Sequence, residues 1–214
     1  MRKYEGKKKE EGNLEGCGSP QRGLRDTGFA VAYPHSTTEQ SGAFMNVSDA
    51  IRLKRAVRKF QDRPLPNKVV HEILNAGRRS QSSKNEQGWQ FIAIQDRAIL
   101  KELSECGTYA GHLAGAALGV AILTPDPEGK FQALFDAGQA AAYMQFMALE
   151  LGVGSCLASI YEPAKAREVL QFPLDWHLRI AISFGYPADA EKLSAAPKKG
   201  GRVPLEEVVH WDKW

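Results

Sequence analysis

Binding and electron-transfer chemistry need groups that hold a ligand, and in this chain they gather in three separated segments. The first is Lys54-Arg55-Ala56-Val57-Arg58-Lys59-Phe60, four cations around two small apolar residues. It reads either as a seat for a phosphorylated ligand or as positive charge complementing a helix C-terminus. The second is the polar loop Ser80 to Trp89, where Ser82 and Asn85 offer hydroxyl and amide groups to the polar edge of a planar ring. An ordinary turn has the same composition. The third, Lys198 to Pro204, sets Gly200 and Gly201 among Lys198, Lys199 and Arg202. Glycine there permits close backbone approach to an anion, although a flexible basic linker looks alike.

The usual catalytic signatures are missing. The chain has no GxSxG, HExxH, GxxxxGK[ST] or GxGxxG pattern. Its five histidines are dispersed and read as surface or satisfied polar residues rather than metal ligands. Gly111, Gly115 and Gly119, spaced by four, favour close packing and do not make a dinucleotide fingerprint. No side chain is assigned as a catalytic nucleophile or acid–base group and no metal is expected, so an enzyme built this way needs a cofactor for the difficult step.

These segments must be positioned by an irregular mixture of helices and strands, which suggests an α+β fold. Ser48 is placed to cap a helix through Ala50, Ile51 and Leu53, and a second helix is expected over Lys68 to Arg79. Trp89 to Ile94 reads as a strand, Ala98 to Cys106 as a helix and Leu118 to Thr124 as a strand. Phe131, Leu134, Phe135, Gly138, Ala142, Phe146 and Leu149 recur at three and four, predicting a long helix from Phe131 to Leu151 that Gly152 ends. A loop at Gly154 to Ser159, a helix near Pro163 to Leu170, a strand near Leu178 to Phe184 and an extended tail from Lys198 complete the reading. Trp211 and Trp214, costly in water, are expected to dock on the body or on a partner subunit.

Bulk properties narrow the classes. With 214 residues, 43% hydrophobic and 25% charged, one folded domain is the default. Residues 1–44 show no persistent period and are expected to be a disordered leader, leaving 45–214 as the domain. A formal charge of +3 gives no reason to invoke nucleic acid or a membrane surface, so any anion site is local. Cys17, Cys106 and Cys156 are too few for a disulfide framework and point to a cytoplasmic protein. The longest apolar run, Leu113 to Leu123, falls short of the ~20 residues a membrane helix needs.

From Asn46 to Trp214 the chain resembles the FMN-dependent nitroreductases. Lys54 to Phe60 is similar to that family's basic Arg-Arg-Ser-x-Arg-x-Phe start, and Ser80 to Trp89 to its Ala-Pro-Ser-x-x-Asn-x-Gln-Pro-Trp loop. Asp136 to Gly138, Leu151 to Cys156, Phe184 to Pro187 and Arg202 to Val209 follow in the family's order. The resemblance implies a mostly antiparallel sheet flanked by helices, with the C-terminal tail exchanged in a homodimer. It further implies bound FMN, electrons from NAD(P)H, and a ping-pong transfer to a small oxidised acceptor such as a nitroaromatic or quinone.

Residue by residue, the resemblance implies Lys54, Arg55, Ala56 and Arg58 at the phosphate and ribityl chain, with Lys199 and Arg202 closing on the same phosphate. It sets Ser82 and Asn85 at the pyrimidine edge, and the backbone of Leu157, Ala158 and Ser159 beside the ring. Lys54 and Ala56 depart from the family's arginine and serine, Gln81 and Gly88 stand where prolines are common, and Ala158-Ser159 replaces a glycine pair. Lower flavin affinity is the expected consequence. The alternatives are a dehalogenating or flavin-destroying branch of the same family, or a flavin- or anion-binding module without turnover.

Overall fold

A four-stranded sheet with layers on both faces organises the molecule, seen in a computed structural model that describes residues 45–126, 128–193 and 201–214. Residues 1–44 and Lys198 to Gly200, Lys199 included, lie outside the described residues. The elements are α1 (Val47–Leu53), α2 (Asn67–Arg78), β1 (Gln90–Ile94), α3 (Arg97–Ser104) and β2 (Leu118–Thr124). Then follow α4 (Phe131–Glu150), β3 (Gly154–Ser159), α5 (Pro163–Leu170), β4 (His177–Gly185) and α6 (Leu205–Val208). The strand order is β1-β2-β4-β3 and every neighbouring pair is antiparallel.

On one face α2 and α4 bury Val70, Ile73 and Met144 against Leu118, Val120, Ile182 and Phe184. On the other, Leu100, Leu103, Leu113 and Ala166 pack with Ala121, Leu178 and Ala181. Each fully buried side chain of this size contributes roughly 2 kcal/mol. The α2–α4 contact is close because α4 turns alanines inward and α2 offers Gly77, where an added Cβ would sit 2.8 Å from Met144 Cγ. Gly152, at φ +70°, ends α4 in the left-handed conformation glycine adopts freely.

Three expectations need correction. Asn46, not Ser48, caps α1, its Oδ1 accepting the Asp49 N–H at 2.8 Å. Gly154 to Ser159 is strand β3 rather than a loop, held by a continuous register from Gly154–Gly185 to Ser159–Ile180. Short polar and small residues hid it, because pairing with β4 and not local propensity makes it a strand.

The stripe Phe131, Leu134, Phe135 and Gly138 of α4 faces outward, with Phe131 71% and Phe135 73% exposed, while Ala133, Ala137, Ala140, Ala141, Met144 and Ala148 form the buried face. A helix apolar on both sides satisfies one face with this chain's core and leaves the other unpartnered among the described residues. Finally, the tail carries α6, and its tryptophans do not dock on the described residues: Trp211 is 84% and Trp214 100% exposed. Among the described residues Trp214 has its ring contact with His210, at 4.0 Å between ring centroids.

Candidate functional site

The basic segment begins at a helix end, with Lys54 the C-cap of α1, and then leaves it. α1 stops at Leu53, and Lys54 onward runs extended beside β3, with Ala56 bridged in parallel to Ser155 and the Val57 N–H donating to Ser155 O at 3.0 Å. Alternate residues of an extended chain share a face, so Lys54, Ala56 and Arg58 point one way and Val57 the other. Val57 is buried against Gly154, where an added Cβ would lie 2.7 Å from the Val57 Cβ. This packing fixes the height of the segment against the sheet.

Both outward cations converge on Cys156. Burial pushes its thiol pKa up, and the charges of Arg58 and Lys54 pull it back down. Lys54 itself is held below its ordinary value by burial, with Cys156 opposing that shift and Arg58 adding to it. Among the described residues neither Lys54 nor Arg58 enters an ion pair. Two neighbouring cations without a carboxylate repel each other, and an anion between them relieves that repulsion. Arg55 lies apart: its Nη1 donates to the Arg52 and Lys54 carbonyls at 2.7 and 2.9 Å, where α1 ends.

The polar loop is held at the opposite end of α4. Ser83 N–H donates to the buried Asp136 carboxylate at 2.8 Å, and Gln87 N–H to Ser82 Oγ at 3.0 Å. Lys84, Asn85 and Gln87 have φ of 50°, 57° and 50°, a left-handed conformation that costs non-glycine residues of order 1 kcal/mol each. Asn85 is exposed, its Oδ1 accepting only a 3.3 Å bond from Gln87 Nε2 among the described hydrogen bonds. Asp136 lies fourteen residues, a rise of about 21 Å, from the end of α4 that leads into β3, which sets the loop apart from the cation seat within one chain.

Between them lies a groove of about 220 Å³ under α4, lined by Leu134, Gly138, Ala142, Gln145, Leu157 and Arg179. Leu157, exposed on β3, is one of the three β3 residues expected beside a ring; Ala158 is buried and Ser159 exposed. The Gln145 side-chain NH2 is buried without a hydrogen-bond partner. Arg179 is the extra residue of a bulge in β4, since Ile122 pairs with Ile180 and Leu123 with Leu178. Arg202 is exposed in the tail and makes no described contact with the seat.

Two residues beside the seat escaped the sequence reading. His112 Nδ1 lies 2.7 Å from Ser183 Oγ, which in turn donates to the Cys156 carbonyl at 3.3 Å. The sequence reads His112 with the other histidines as a surface or satisfied polar residue, and it is the register pairing Cys156 with Ser183 that gathers these groups. Among the described residues no group of three or more His, Cys, Asp or Glu could hold a metal, and no helix is long and apolar enough to cross a membrane.

The helix-flanked antiparallel sheet, with a basic strand-like segment along β3 and a polar loop tied to the long helix, defines a class. The nitroreductase family model matches residues 51–107 and 102–186, and the chain belongs to that family. A candidate NADH dehydrogenase/NAD(P)H nitroreductase of Archaeoglobus fulgidus is 29% identical over 171 residues, covering 77% of this chain and 96% of the relative. An NADPH-dependent oxidoreductase of Staphylococcus epidermidis is 25% identical, covering 78% and 74%. Among solved structures, an FMN-dependent nitroreductase of Clostridium difficile superimposes with a TM-score of 0.67 at 28% identity, covering 78% of this chain and 99% of that one.

Proposed function

We propose that this protein is an FMN-dependent oxidoreductase that carries electrons from NAD(P)H to a small oxidised acceptor such as a nitroaromatic or quinone. The observation that carries the reading is the pair Lys54 and Arg58, two cations outside any described ion pair on one face of a strand-like segment fixed to β3. They suit a phosphate, and Ala56 between them leaves room for a polyol chain. FMN, when bound, supplies the two-electron chemistry that no side chain of this chain offers.

Lys54 and Arg58 hold the phosphate, and their field favours negative charge on the neighbouring ring. Arg202 and Lys199 close on the same phosphate from the tail. Leu157, Ala158 and Ser159 lend their backbone to one side of the ring, while Ser82 and Asn85 hydrogen-bond its polar edge. One open groove receives donor and then acceptor, which gives ping-pong kinetics.

Because loop and seat sit at opposite ends of α4, the complete site belongs to a homodimer in which the loop of one protomer meets the seat of the other. The outward stripe of α4 and the exposed Val203, Leu205, Val208, Trp211 and Trp214 of the tail supply apolar surface for that interface. The free thiols Cys106 and Cys156 suit a cytoplasmic location. The absorbance spectrum of the freshly purified protein tests the reading, followed by NAD(P)H oxidation with a quinone or nitroarene. A flavin spectrum lost in Asn85→Ala together with turnover supports it; a colourless protein that neither binds added FMN nor oxidises NAD(P)H overturns it.

A further inference from the structure

Apolar packing does not explain how the polar loop keeps its shape. Ser80 and Trp89 are buried at its two ends, but from Gln81 to Gln87 no residue is buried. The loop overlies a hollow of about 190 Å³ lined by Ser83, Lys84, Glu86, Gly88, Lys130 and Asp136. Lys84, Asn85 and Gln87 nevertheless all hold a left-handed conformation, which side-chain-bearing residues leave readily unless their surroundings enforce it. Bonds inside the loop supply part of that enforcement. Asn85 N–H donates to the Ser82 carbonyl at 3.1 Å, Glu86 N–H to the Ser83 carbonyl at 2.9 Å and Gln87 N–H to Ser82 Oγ at 3.0 Å. These bonds shape the loop without fixing it to the body.

Two described interactions tie the middle of the loop to α4. One is the Lys130–Glu86 pair, 3.6 Å long and exposed at both ends, which water screens. The other is the Ser83 N–H donating to Asp136 Oδ2 at 2.8 Å, between residues 53 apart in sequence. Asp136 is 6% exposed and enters no described ion pair. Its neighbours on the buried face of α4 are Ala133, Ala137 and Ala140, so filling space there needs only a small apolar side chain. A buried carboxylate is costly, and what it gains over alanine is a charge-assisted hydrogen bond, roughly twice as strong as a neutral one.

We propose that Asp136 is a further positioning residue of the flavin site, its carboxylate holding Ser83 and thereby presetting Ser82 and Asn85 for the polar edge of the ring. Both side chains are ready for that contact. Ser82 Oγ accepts from Gln87 and keeps its own proton to donate, and the Asn85 side-chain NH2 has no partner among the described hydrogen bonds. Without the tether the loop samples other shapes, flavin binds only the fraction of molecules with the loop in place, and the apparent Kd rises by the inverse of that fraction. This loss falls on the ring and not on the phosphate, which Lys54 and Arg58 hold. The inference rests on the flavin reading above and names a residue which that reading does not use.

Titration of the full-length protein with FMN and with riboflavin, which lacks the phosphate, reads the effect through quenching of flavin fluorescence. A tenth of molecules with an ordered loop makes Asp136→Ala bind both flavins roughly tenfold more weakly and by the same factor. Asp136→Asn, which keeps an acceptor oxygen but loses the charge, recovers most of the loss. In the flavin-free protein, trypsin cuts after Lys84 faster in Asp136→Ala than in wild type, with cleavage elsewhere unchanged, and Asp136→Asn lies between.

In the wild type alone, the Ser83 amide exchanges its hydrogen far more slowly than an exposed loop amide, which keeps the test valid if Asp136→Ala folds poorly. Fast exchange at Ser83, unchanged flavin affinity in Asp136→Ala, a loss that Asp136→Asn does not rescue, or a loss confined to FMN each overturns the inference. A wild type that binds neither flavin sinks the flavin reading itself, and exchange and cleavage then decide separately whether Asp136 holds the loop.

Discussion

Arg55 and Arg58 carry the same charge three residues apart, yet on the proposed reading they have different duties. Arg58→Leu removes a cation from the phosphate face, whereas Arg55→Leu removes a guanidinium already spent on the carbonyls that end α1. Two unit charges at ~4 Å attract by about 4 kcal/mol at an effective dielectric of ~20. Arg58 is exposed, and water screens part of this. A charge-assisted hydrogen bond nets about 1.5–3 kcal/mol, so Arg58→Leu weakens FMN binding roughly 10- to 100-fold. Arg55→Leu changes it less than about threefold and instead lowers stability by about 1 kcal/mol. Quenching of flavin fluorescence in a titration of each full-length variant gives the affinities, and raising the salt narrows the gap between wild type and Arg58→Leu but not Arg55→Leu. Equal losses of affinity for the two variants, with the melting temperature of Arg55→Leu unchanged, refute the assignment of faces.

Gly154→Ala drives a methyl into Val57, whose Cβ is backbone-anchored and cannot yield, so the variant loses about 1–3 kcal/mol of stability and weakens FMN binding as the basic segment shifts; denaturant midpoints and flavin titration read the two effects. Phe135→Asp puts a charge on the outward stripe of α4 and converts a dimer in sedimentation into a folded monomer that no longer retains flavin, while a wild-type protein that already sediments as a monomer contradicts the shared site. Acidification tests His112 in the flavin-free protein: its folded pKa lies below the unfolded 6.5, so its contribution is fully present above 6.5 and is lost as pH falls through the folded value. The urea midpoint therefore drops between about pH 7.5 and about pH 5.5, and more steeply in wild type than in His112→Gln.

Much of the frame was legible before any coordinates. β2 and α5 match their expected bounds, and α2, α3 and β4 lie within a residue or two, because each pairs a strong period with a clear stop. The misread places share one cause, that tertiary contacts outweigh local chemistry. Gly154-Ser155-Cys156 has little strand propensity of its own, yet it lies between β4 and the basic segment and satisfies its backbone there. Lys54 to Arg58 reads in the sequence as a cationic helix end, which holds for Lys54 and Arg55 but not for the extended stretch after them. Only the bridge to Ser155 shows that every second residue faces the same way, which separates Arg55 from the other two.

The α4 stripe is the instructive case. Its spacing predicts the helix, and the structure buries the other face, built of alanines whose contribution to hydrophobic periodicity is weak. Both faces being apolar has a physical reason on the proposed reading: one packs on α2 and the sheet, and the other packs on a second copy. That arrangement also resolves the distance between seat and loop. On the same reading, a second protomer related by a twofold axis delivers its own Asp136-tethered loop to the seat of the first, across the fourteen residues of α4 that separate the two within one chain. The strain in Lys84, Asn85 and Gln87 then has a use, since a loop that must reach across an interface needs a fixed shape before the partner arrives.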